Sequence, residues 1–489
     1  MLENNASQNI SPIIGYLREV YTPRIYLTIL GVMLAAFTPE IAYTTFSHDY
    51  FFTLFLTSNL YALDGRYLAE IIRLLSFGYL PPNLLLVLGL LCMVGCGVVF
   101  CFLFRISHWI PVVITCSLFA TFPMMFEIWS YPSTRFTVPL AALLAVAALA
   151  VPSLSVGAIL ICAALATYQS AVYLTVVAAF YVTAVRVAAG QDGFKAFAIP
   201  RAIMVVAGGC LYAIVYFVLS HFFHLGGERL AGFVHIVTDP GQFMSGANII
   251  LLALKELATR GMFLFPLIAK LAYLALAAIV LALLAMRRSL IGIALVCMAP
   301  LCIFGAAWVT FPPHQMLFDR ILFSFVGVYA GTFLAAWTMA DRRTRYAINS
   351  LGAFLIVIFT LQANIWHQYM DLRNRADMDM TQLIAARIRD LPDYRPGMPI
   401  TIIGATQDSS YLPYRTFDTS RGIIRNTMFR STYFYPWASA RLLMFYFPLS
   451  DSPPPEMVQA ATTGSGDMPI WPSPASVAVR SHMVIVRLN

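Results

Sequence analysis

Long apolar segments alternate with short polar ones over most of the chain. A helix of about 17 to 25 apolar residues is long enough to cross a lipid bilayer. Such segments lie at residues 24–43, 83–104, 109–126, 134–151, 153–168, 170–187, 202–222, 262–285, 289–307, 321–340 and 346–365. The pattern therefore predicts eleven transmembrane helices. Their least defined boundary is at Tyr168, because residues 153–187 form a nearly unbroken apolar run that fits two short spans or one long tilted span.

The pattern changes after Trp366. A helical stretch near residues 376–390 is followed by a strand-like run at 399–404 and by two further runs at 476–479 and 483–486. We therefore expect a mainly α-helical, polytopic membrane bundle over residues 1–366 and a small α/β domain over 367–489. Two other polar stretches, residues 44–82 and 223–261, are too long for simple turns. Asp377 and Asp379 form a lone D-x-D pattern, which we place at the start of the predicted helix rather than in a metal site.

Composition excludes two broad classes of protein. Hydrophobic residues make up 60% of the chain and charged residues 11%, whereas a soluble domain has about 25% charged residues. The net charge of +8 is spread over short loops rather than concentrated in a lysine-rich run, which argues against a nucleic-acid partner. All 8 cysteines fall within apolar segments, without CxxC or zinc spacing, so neither a disulfide framework nor a metal site is predicted.

Basic residues predict the orientation, because short cytoplasmic loops carry the excess of lysine and arginine. With eleven spans, one set of loops collects Arg18, Arg24, Arg105, Arg186, Lys195, Arg201, Arg287, Arg288, Arg342, Arg343 and Arg345. The opposite loops are on balance acidic and contain Glu40, Asp49, Asp64, Glu70, Glu127, Glu228, Asp239, Glu256 and Asp319. We expect a cytoplasmic N-terminus, an external domain over 367–489, and a retained first span rather than a cleaved signal peptide.

The first external loop holds the most informative polar residues. Asp49 lies a few residues beyond the first span, where partial desolvation can tune a carboxylate as a general base. Arg66 offers a planar fork of donors suited to phosphate. The alternative is structural: Asp64 and Gly65 form a turn, Arg66 pairs with Glu70 on an interfacial helix, and Asp49 is a hydrated loop residue.

Two further polar residues lie at predicted outer helix ends. Glu40, after Pro39, could position an acceptor or act as a second candidate base, or could simply end the helix at the interface. Gln169, beside Tyr168, interrupts an apolar stretch and is costly there unless it is hydrogen-bonded. It could join two helices or contact a sugar or phosphate.

External arginines near span ends lie where a lipid phosphate would be. They are Arg135, Arg229 and Arg320, and each could instead be a snorkelling anchor whose charged end reaches the interface. Arg320 is the strongest candidate for phosphate binding, because His314 and Asp319 accompany it.

The order of these features resembles the glucosyl transferase II family, the serotype-converting membrane enzymes that modify O-antigen. The matching segments are His48–Tyr50, Gly65–Leu68, Thr167–Ser170 and the opening of the C-terminal region from Ile388 to Gly404. Two residues depart from the family pattern. His48 stands where the first acid of an acidic pair is expected, which leaves Asp49 alone at that position, and Tyr67 replaces the usual tryptophan.

The resemblance implies a GT-C-like enzyme of the bacterial inner membrane, with a periplasmic C-terminal domain. It implies transfer of a glucosyl or other hexosyl residue from a polyprenyl-phosphate carrier to a surface glycan such as lipopolysaccharide O-antigen, without a cofactor or metal. Its partners would be that donor, the glycan acceptor, membrane lipids, a lipid-sugar synthase and a flippase. The candidate catalytic residues are Asp49 and Glu40, and the candidate substrate-binding residues are Arg66, Asp64, Tyr67, Tyr168, Gln169, His314 and Arg320.

Two rival functions fit a membrane protein of this kind. A lipid-linked glycan flippase or transporter would carry charged groups near the bilayer midplane on broken helices. An O-antigen polymerase would use long oligosaccharide donors rather than one lipid-linked hexose. The acidic residues cluster on one predicted side of the membrane, which favours the glycosyltransferase.

Overall fold

A computed structural model gives the fold of most of the chain. It describes residues 13–20, 22–42, 45, 65–76, 81–132, 134–223, 240–259, 266–310, 317–405, 424–425, 432–434, 436–447 and 453–488. Asp49, Asp64, Arg229 and His314 lie outside the described residues. The described chain forms two compact units. The first contains the residues up to Ile365 except Thr45, together with Ile424 and Arg425, and the second contains the rest.

A short helix over residues 13–20 precedes the helices of the first unit. These are α1 Pro23–Ala42, α2 Tyr67–Ser76, α3 Pro82–Leu103, α4 Trp109–Thr121, α5 Phe126–Trp129, α6 Thr137–Ala150, α7 Leu154–Thr167, α8 Val172–Ala188, α9 Ile199–Phe223, α10 Pro240–Thr259, α11 Leu267–Met286, α12 Leu290–Thr310, α13 Phe325–Met339 and the first part of α14 Arg342–Arg389. A helix occupies the greater part of each of the eleven predicted spans. The expectation of a mainly α-helical bundle is confirmed.

Eight helical segments of the described chain are long and apolar enough to cross a membrane. The other three predicted spans correspond to shorter apolar helices, Thr137–Ala150, Leu154–Thr167 and Leu290–Phe304, the last being the part of α12 with described side chains. The uncertain boundary at Tyr168 is a true break. Helix α7 ends at Thr167, Tyr168 is extended with φ −159° and ψ 108°, and a 3₁₀ turn over Gln169–Ala171 leads into α8.

The core of the first unit is built around α4 and α13. Every residue of α4 from Pro111 to Thr121 is buried, as are most residues of α13. Close backbone approach depends on small residues, as is common between membrane helices. At Gly97 of α3, a Cβ atom would lie 2.6 Å from the Cα of Cys116.

Contacts between loops connect the segments that carry most of the basic residues. Tyr16 donates a hydrogen bond to the Ile106 carbonyl over 2.7 Å, and the Arg24 guanidinium lies 3.7 Å from the ring centroid of Trp109. The ring centroids of His108 and Trp337 are 6.0 Å apart. Arg287 donates to the Met339 carbonyl over 3.0 Å. These contacts bring the N-terminal segment, the α3–α4 loop, the end of α11 and the α13–α14 loop together. We call this end of the first unit the basic end.

Helix α14 differs from its prediction. It continues without a break from Arg342 to Arg389, so the stretch near 376–390 does not begin a new helix. Asp377 is therefore inside a helix and not at a helix start, and that prediction was wrong. Its buried carboxylate accepts a hydrogen bond from the Thr432 backbone N–H over 2.7 Å. The predicted apolar span at 346–365 and the polar amphipathic stretch after it therefore form one continuous helix.

The second unit contains the predicted sheet. Strands β2 Ile400–Ile403, β4 Val477–Arg480 and β5 Met483–Arg487 have the order β2-β5-β4, with β2 and β5 parallel and β4 and β5 antiparallel. One buried cluster joins this sheet to Ile384 and Ile388 of α14 and to α15 Pro436–Leu443. A smaller cluster joins it to α16 Pro455–Gly464 through Ala461. A two-residue parallel pair, β1 Leu317–Phe318 with β3 Ile424–Arg425, belongs to the first unit.

Candidate functional site

Arg66 follows the turn at Gly65, and its side chain is held in place by the break between α7 and α8. Gly65, with φ +75°, forms the turn before α2, a conformation that glycine adopts without strain. The Nε of Arg66 donates to Oε1 of Gln169 over 3.2 Å, and its guanidinium lies 4.7 Å from the ring centroid of Tyr168. Within the described part of the chain, the two terminal nitrogens of Arg66 make no hydrogen bond. The helix break at Tyr168 thus supports a half-buried arginine whose outer donors remain available.

Gln169 uses its amide to connect two segments. Its Nε2 donates to the Tyr212 hydroxyl over 3.3 Å, and that hydroxyl donates to the Gly65 carbonyl over 3.0 Å. The Tyr67 and Tyr212 rings stack with centroids 6.0 Å apart. This geometry matches the helix-joining alternative for Gln169. It also makes Gln169 the residue that orients Arg66.

Arg320 is paired with a carboxylate that the sequence did not single out for a role. Its Nη1 donates to Oε1 of Glu127 over 2.9 Å and to the Tyr131 hydroxyl over 2.7 Å, while its backbone N–H donates to Oε2 of Glu127 over 2.9 Å. The Glu127 side chain is fully buried and that of Arg320 is 31% exposed. The Tyr168 hydroxyl donates to the Arg320 carbonyl over 3.3 Å. Arg320 therefore neutralises a buried acid, so it is a weaker candidate for binding a phosphate group.

Glu40 and Arg135 form an ion pair, and both side chains are completely buried. Arg135 Nε also donates to the Trp129 carbonyl over 2.5 Å. Arg135 is thus not a snorkelling anchor, nor does it face a lipid phosphate. That expectation is corrected, because Arg135 lies on the turn into α6 and points into the unit. The catalytic role of Glu40 stays a prediction, although its surroundings are those of a structural pair.

Helix α2 carries a second buried carboxylate. Glu70 is 5% exposed and pairs with Arg73, whose Nη2 lies 2.5 Å from Oε1. The pair of Arg66 with Glu70 that the structural alternative included is not formed, because Arg66 turns toward Gln169. Oε2 of Glu70 has no hydrogen-bond partner among the described residues. Glu70 lies one turn from Arg66, since its N–H donates to the Arg66 carbonyl over 3.0 Å.

Tyr67 lies at the start of the same helix. Burial raises the pKa of its phenol above the ordinary value of 10.0, and contact with the Cys162 thiol raises that pKa further. The phenol is therefore neutral at physiological pH and can donate a hydrogen bond.

Five of the predicted site residues are joined by direct contacts or through Tyr212. They are Arg66, Tyr67, Tyr168, Gln169 and Arg320. The sequence analysis did not give Glu127, Tyr131 or Tyr212 a role in the site. Glu127 had a signal of its own, because a carboxylate at the edge of an apolar segment is costly without a partner. No cluster of three potential metal ligands occurs within the described ranges.

Comparison with known proteins does not assign the chain to a family. No protein-family model, no curated protein and no solved structure matches the chain. Among the described residues, the site offers a guanidinium whose terminal nitrogens make no hydrogen bond, a neutral phenol, and the buried carboxylate of Glu70 one turn away. These groups can bind an anionic, hydroxyl-bearing ligand at the ends of apolar helices.

Proposed function

We propose that the protein is a membrane glycosyltransferase. It would move a glucosyl or other hexosyl residue from a polyprenyl-phosphate carrier to a surface glycan such as lipopolysaccharide O-antigen. The observation that carries the proposal is the Arg66 site, in which Gln169 and Tyr168 orient a guanidinium and leave its outer donors open. A fixed fork of this kind suits the oxygens of a phosphate.

The chemistry of such a transfer accounts for the groups present. Breaking a sugar–phosphate bond leaves negative charge on the phosphate, which a positioned arginine stabilises. The acceptor hydroxyl needs a base, for which Asp49 remains our first candidate. Glu40 is less suited, because its carboxylate is engaged by Arg135. Nucleotide sugars are not available outside the cytoplasmic membrane, so an external transferase needs a donor delivered through lipid.

The proposed function also implies where the protein and its site are located. The N-terminus would be cytoplasmic, the site and residues 367–489 would be periplasmic, and the chain would reside in the bacterial inner membrane. A lipid-sugar synthase and a flippase would supply the donor.

One observation favours a second candidate, a lipid-linked glycan transporter. Helices are interrupted between Thr121 and Phe126 and again at Tyr168, and the ion pair of Glu127 with Arg320 lies beside these breaks. Transporters often form their substrate sites on discontinuous helices. The two functions differ in product, since only a transferase adds a sugar.

Mass spectrometry of surface glycan tests the proposal. Cells that express the wild-type chain should carry an added hexose that cells without it lack. Arg66→Gln should abolish most of the addition, and Arg66→Lys should retain part of it, because lysine keeps the charge and loses the fork. Arg375→Gln is the control, since Arg375 is exposed and forms an ion pair with Asp371 at the surface of the second unit. An unchanged mass of the glycan repeating unit, with altered export or altered chain length, would point to a transporter or a polymerase.

The base is tested separately. Asp49→Asn keeps the side-chain volume and removes the basicity, so transfer should fall by roughly 10²- to 10⁴-fold while the protein still folds and binds donor. Transfer at the wild-type rate in this variant would exclude Asp49 as the base.

A further inference from the structure

A cluster of arginines lies at the basic end, away from the site described above. The guanidinium groups of Arg186 and Arg201 lie 4.4 Å and 5.7 Å from the ring centroid of Phe197, so both are placed on one aromatic side chain. The charges of Arg105 and Arg201 both act on Arg186. Three positive charges therefore share a small region at the ends of α3, α8 and α9.

These arginines lack acidic partners within the described chain. Arg201 Nη2 donates to the Val151 carbonyl over 3.1 Å, while its Nε is buried and has no hydrogen-bond partner among the described residues. Arg105 holds a left-handed conformation with φ 57° directly after α3, a position where glycine is usual. The protein concentrates positive charge here and leaves part of its hydrogen-bonding capacity unused. An anion at the cluster would neutralise this charge.

An exposed apolar stripe begins at the same place. It runs along α9 and consists of Ile199, Ile203, Val206, Ile214 and Phe217, whose side chains are 50% to 72% exposed. Their spacing of three, four or eight residues puts them on one helix face. Arg201, two residues after Ile199, lies on the opposite face of α9, so the stripe marks the part of this helix suited to hydrocarbon chains, and the arginines lie at the end of that helix.

We propose that Arg105, Arg186 and Arg201 bind the phosphate of an anionic phospholipid. Guanidinium groups bind phosphate oxygens through charge-assisted hydrogen bonds. Basic pockets between membrane helices are suited to anionic headgroups. The position of the cluster at the end of apolar helices of membrane length favours a lipid over a soluble phosphate ester, because that is where lipid headgroups lie. This inference is independent of the proposed transferase activity.

Native mass spectrometry of the full-length protein in neutral detergent tests the proposal. The probes are dioleoylphosphatidylglycerol, dioleoylphosphatidylcholine, and glycerol phosphate as the headgroup without chains. Three proteins are compared: the wild type, the double variant Arg186→Gln with Arg201→Gln, and the control variant Arg343→Gln. The control removes an exposed charge of the basic end, beside Asp341. We expect the wild type to retain phosphatidylglycerol in preference to phosphatidylcholine, and the double variant to bind it about tenfold or more weakly. Arg343→Gln should bind like wild type.

Three results would overturn the proposal. They are equal retention of both lipids by the wild type, an unchanged affinity in the double variant, and glycerol phosphate binding as tightly as the lipid. If the double variant does not fold, the single variants Arg186→Gln and Arg201→Gln provide the same test, because each leaves one guanidinium on Phe197. At least one of them must then weaken phosphatidylglycerol binding, and unchanged binding in both would exclude the site.

Discussion

The carboxylate of Glu40 and the guanidinium of Arg135 are both fully buried, and each stabilises the charged form of the other. Replacing a buried ion pair by apolar groups can be nearly neutral, but removing one member leaves an uncompensated charge. The same reasoning applies to Glu127, which is buried and is neutralised by Arg320. Both pairs involve the segment from Phe126 to Arg135, so they hold this irregular stretch between α4 and α6.

The Glu40 pair yields the first prediction. Glu40→Gln should lower the free energy of unfolding by about 3 to 5 kcal/mol, because Arg135 then remains charged and buried. The double variant Glu40→Gln with Arg135→Gln should lose less than the sum of the single variants. Thermal unfolding of the purified proteins in detergent measures all three. A Glu40→Gln protein that is as stable as wild type but inactive would instead identify Glu40 as the base.

Gln169 allows charge and geometry to be separated at Arg66. Gln169→Glu keeps an oxygen for Arg66 and adds a negative charge beside it, so the variant should fold while binding a lipid-phosphate donor more weakly. Gln169→Leu removes the hydrogen bonds with Arg66 and Tyr212 and should lower stability by about 1 to 3 kcal/mol. The donor KM and the unfolding temperature of each variant give the two readouts. A normal donor KM in Gln169→Glu would show that the phosphate does not bind at Arg66.

The helices were largely predictable because lipid-length apolar segments have few alternatives. The strands at Ile400–Ile403 and Met483–Arg487 also follow from local sequence, whereas the apolar run over residues 153–187 left the break at Tyr168 open. What could not be predicted depends on distant partners. Glu127 and Arg320 are 193 positions apart, and no local pattern selects that pairing. Helix α14 was split in the prediction because its hydrophobicity changes, although its backbone hydrogen bonds continue.

Two adjacent glycines of α9 provide a matched test of helix packing. A Cβ atom on Gly208 would lie 2.6 Å from the Cβ of Ile161 in α7, whereas one on Gly209 would meet nothing within 4 Å. Gly208→Ala should therefore destabilise the protein by about 1 to 3 kcal/mol. Gly209→Ala should be neutral or stabilising by up to about 1 kcal/mol, because alanine is the better helix former.

The packing test has a second readout. Tyr212 lies one turn beyond Gly208, so Gly208→Ala should also disturb the hydrogen bond between Tyr212 and Gln169. The unfolding temperature and the donor KM of both variants provide the comparison. Equal effects of the two alanines would contradict the close contact between α7 and α9.

The three shorter apolar helices bear on how many times the whole chain crosses the membrane. Helix α6 begins beside Arg135 and ends near the Val151 carbonyl, which Arg201 contacts at the basic end. Helix α7 returns to Tyr168, whose hydroxyl contacts the Arg320 carbonyl. Helix α12 starts beside the basic end, and the chain after it reaches Arg320. All three therefore connect the two ends of the first unit, as spans do.

Topology mapping distinguishes eleven membrane spans from eight. Eleven spans put Asp192 in the cytoplasm and Asn489 outside, whereas the eight longer candidates alone would put both in the cytoplasm. The difference is α12, whose full length of 21 residues spans about 31 Å at 1.5 Å per residue. We therefore expect an alkaline phosphatase fusion at Asn489 to be active and one inserted at Asp192 to be inactive, with a cytoplasmic fluorescent reporter giving the reverse. An Asn489 fusion that is active only with the cytoplasmic reporter would mean that α12 does not cross, and would place the C-terminal unit on the side opposite to the proposed glycan acceptor.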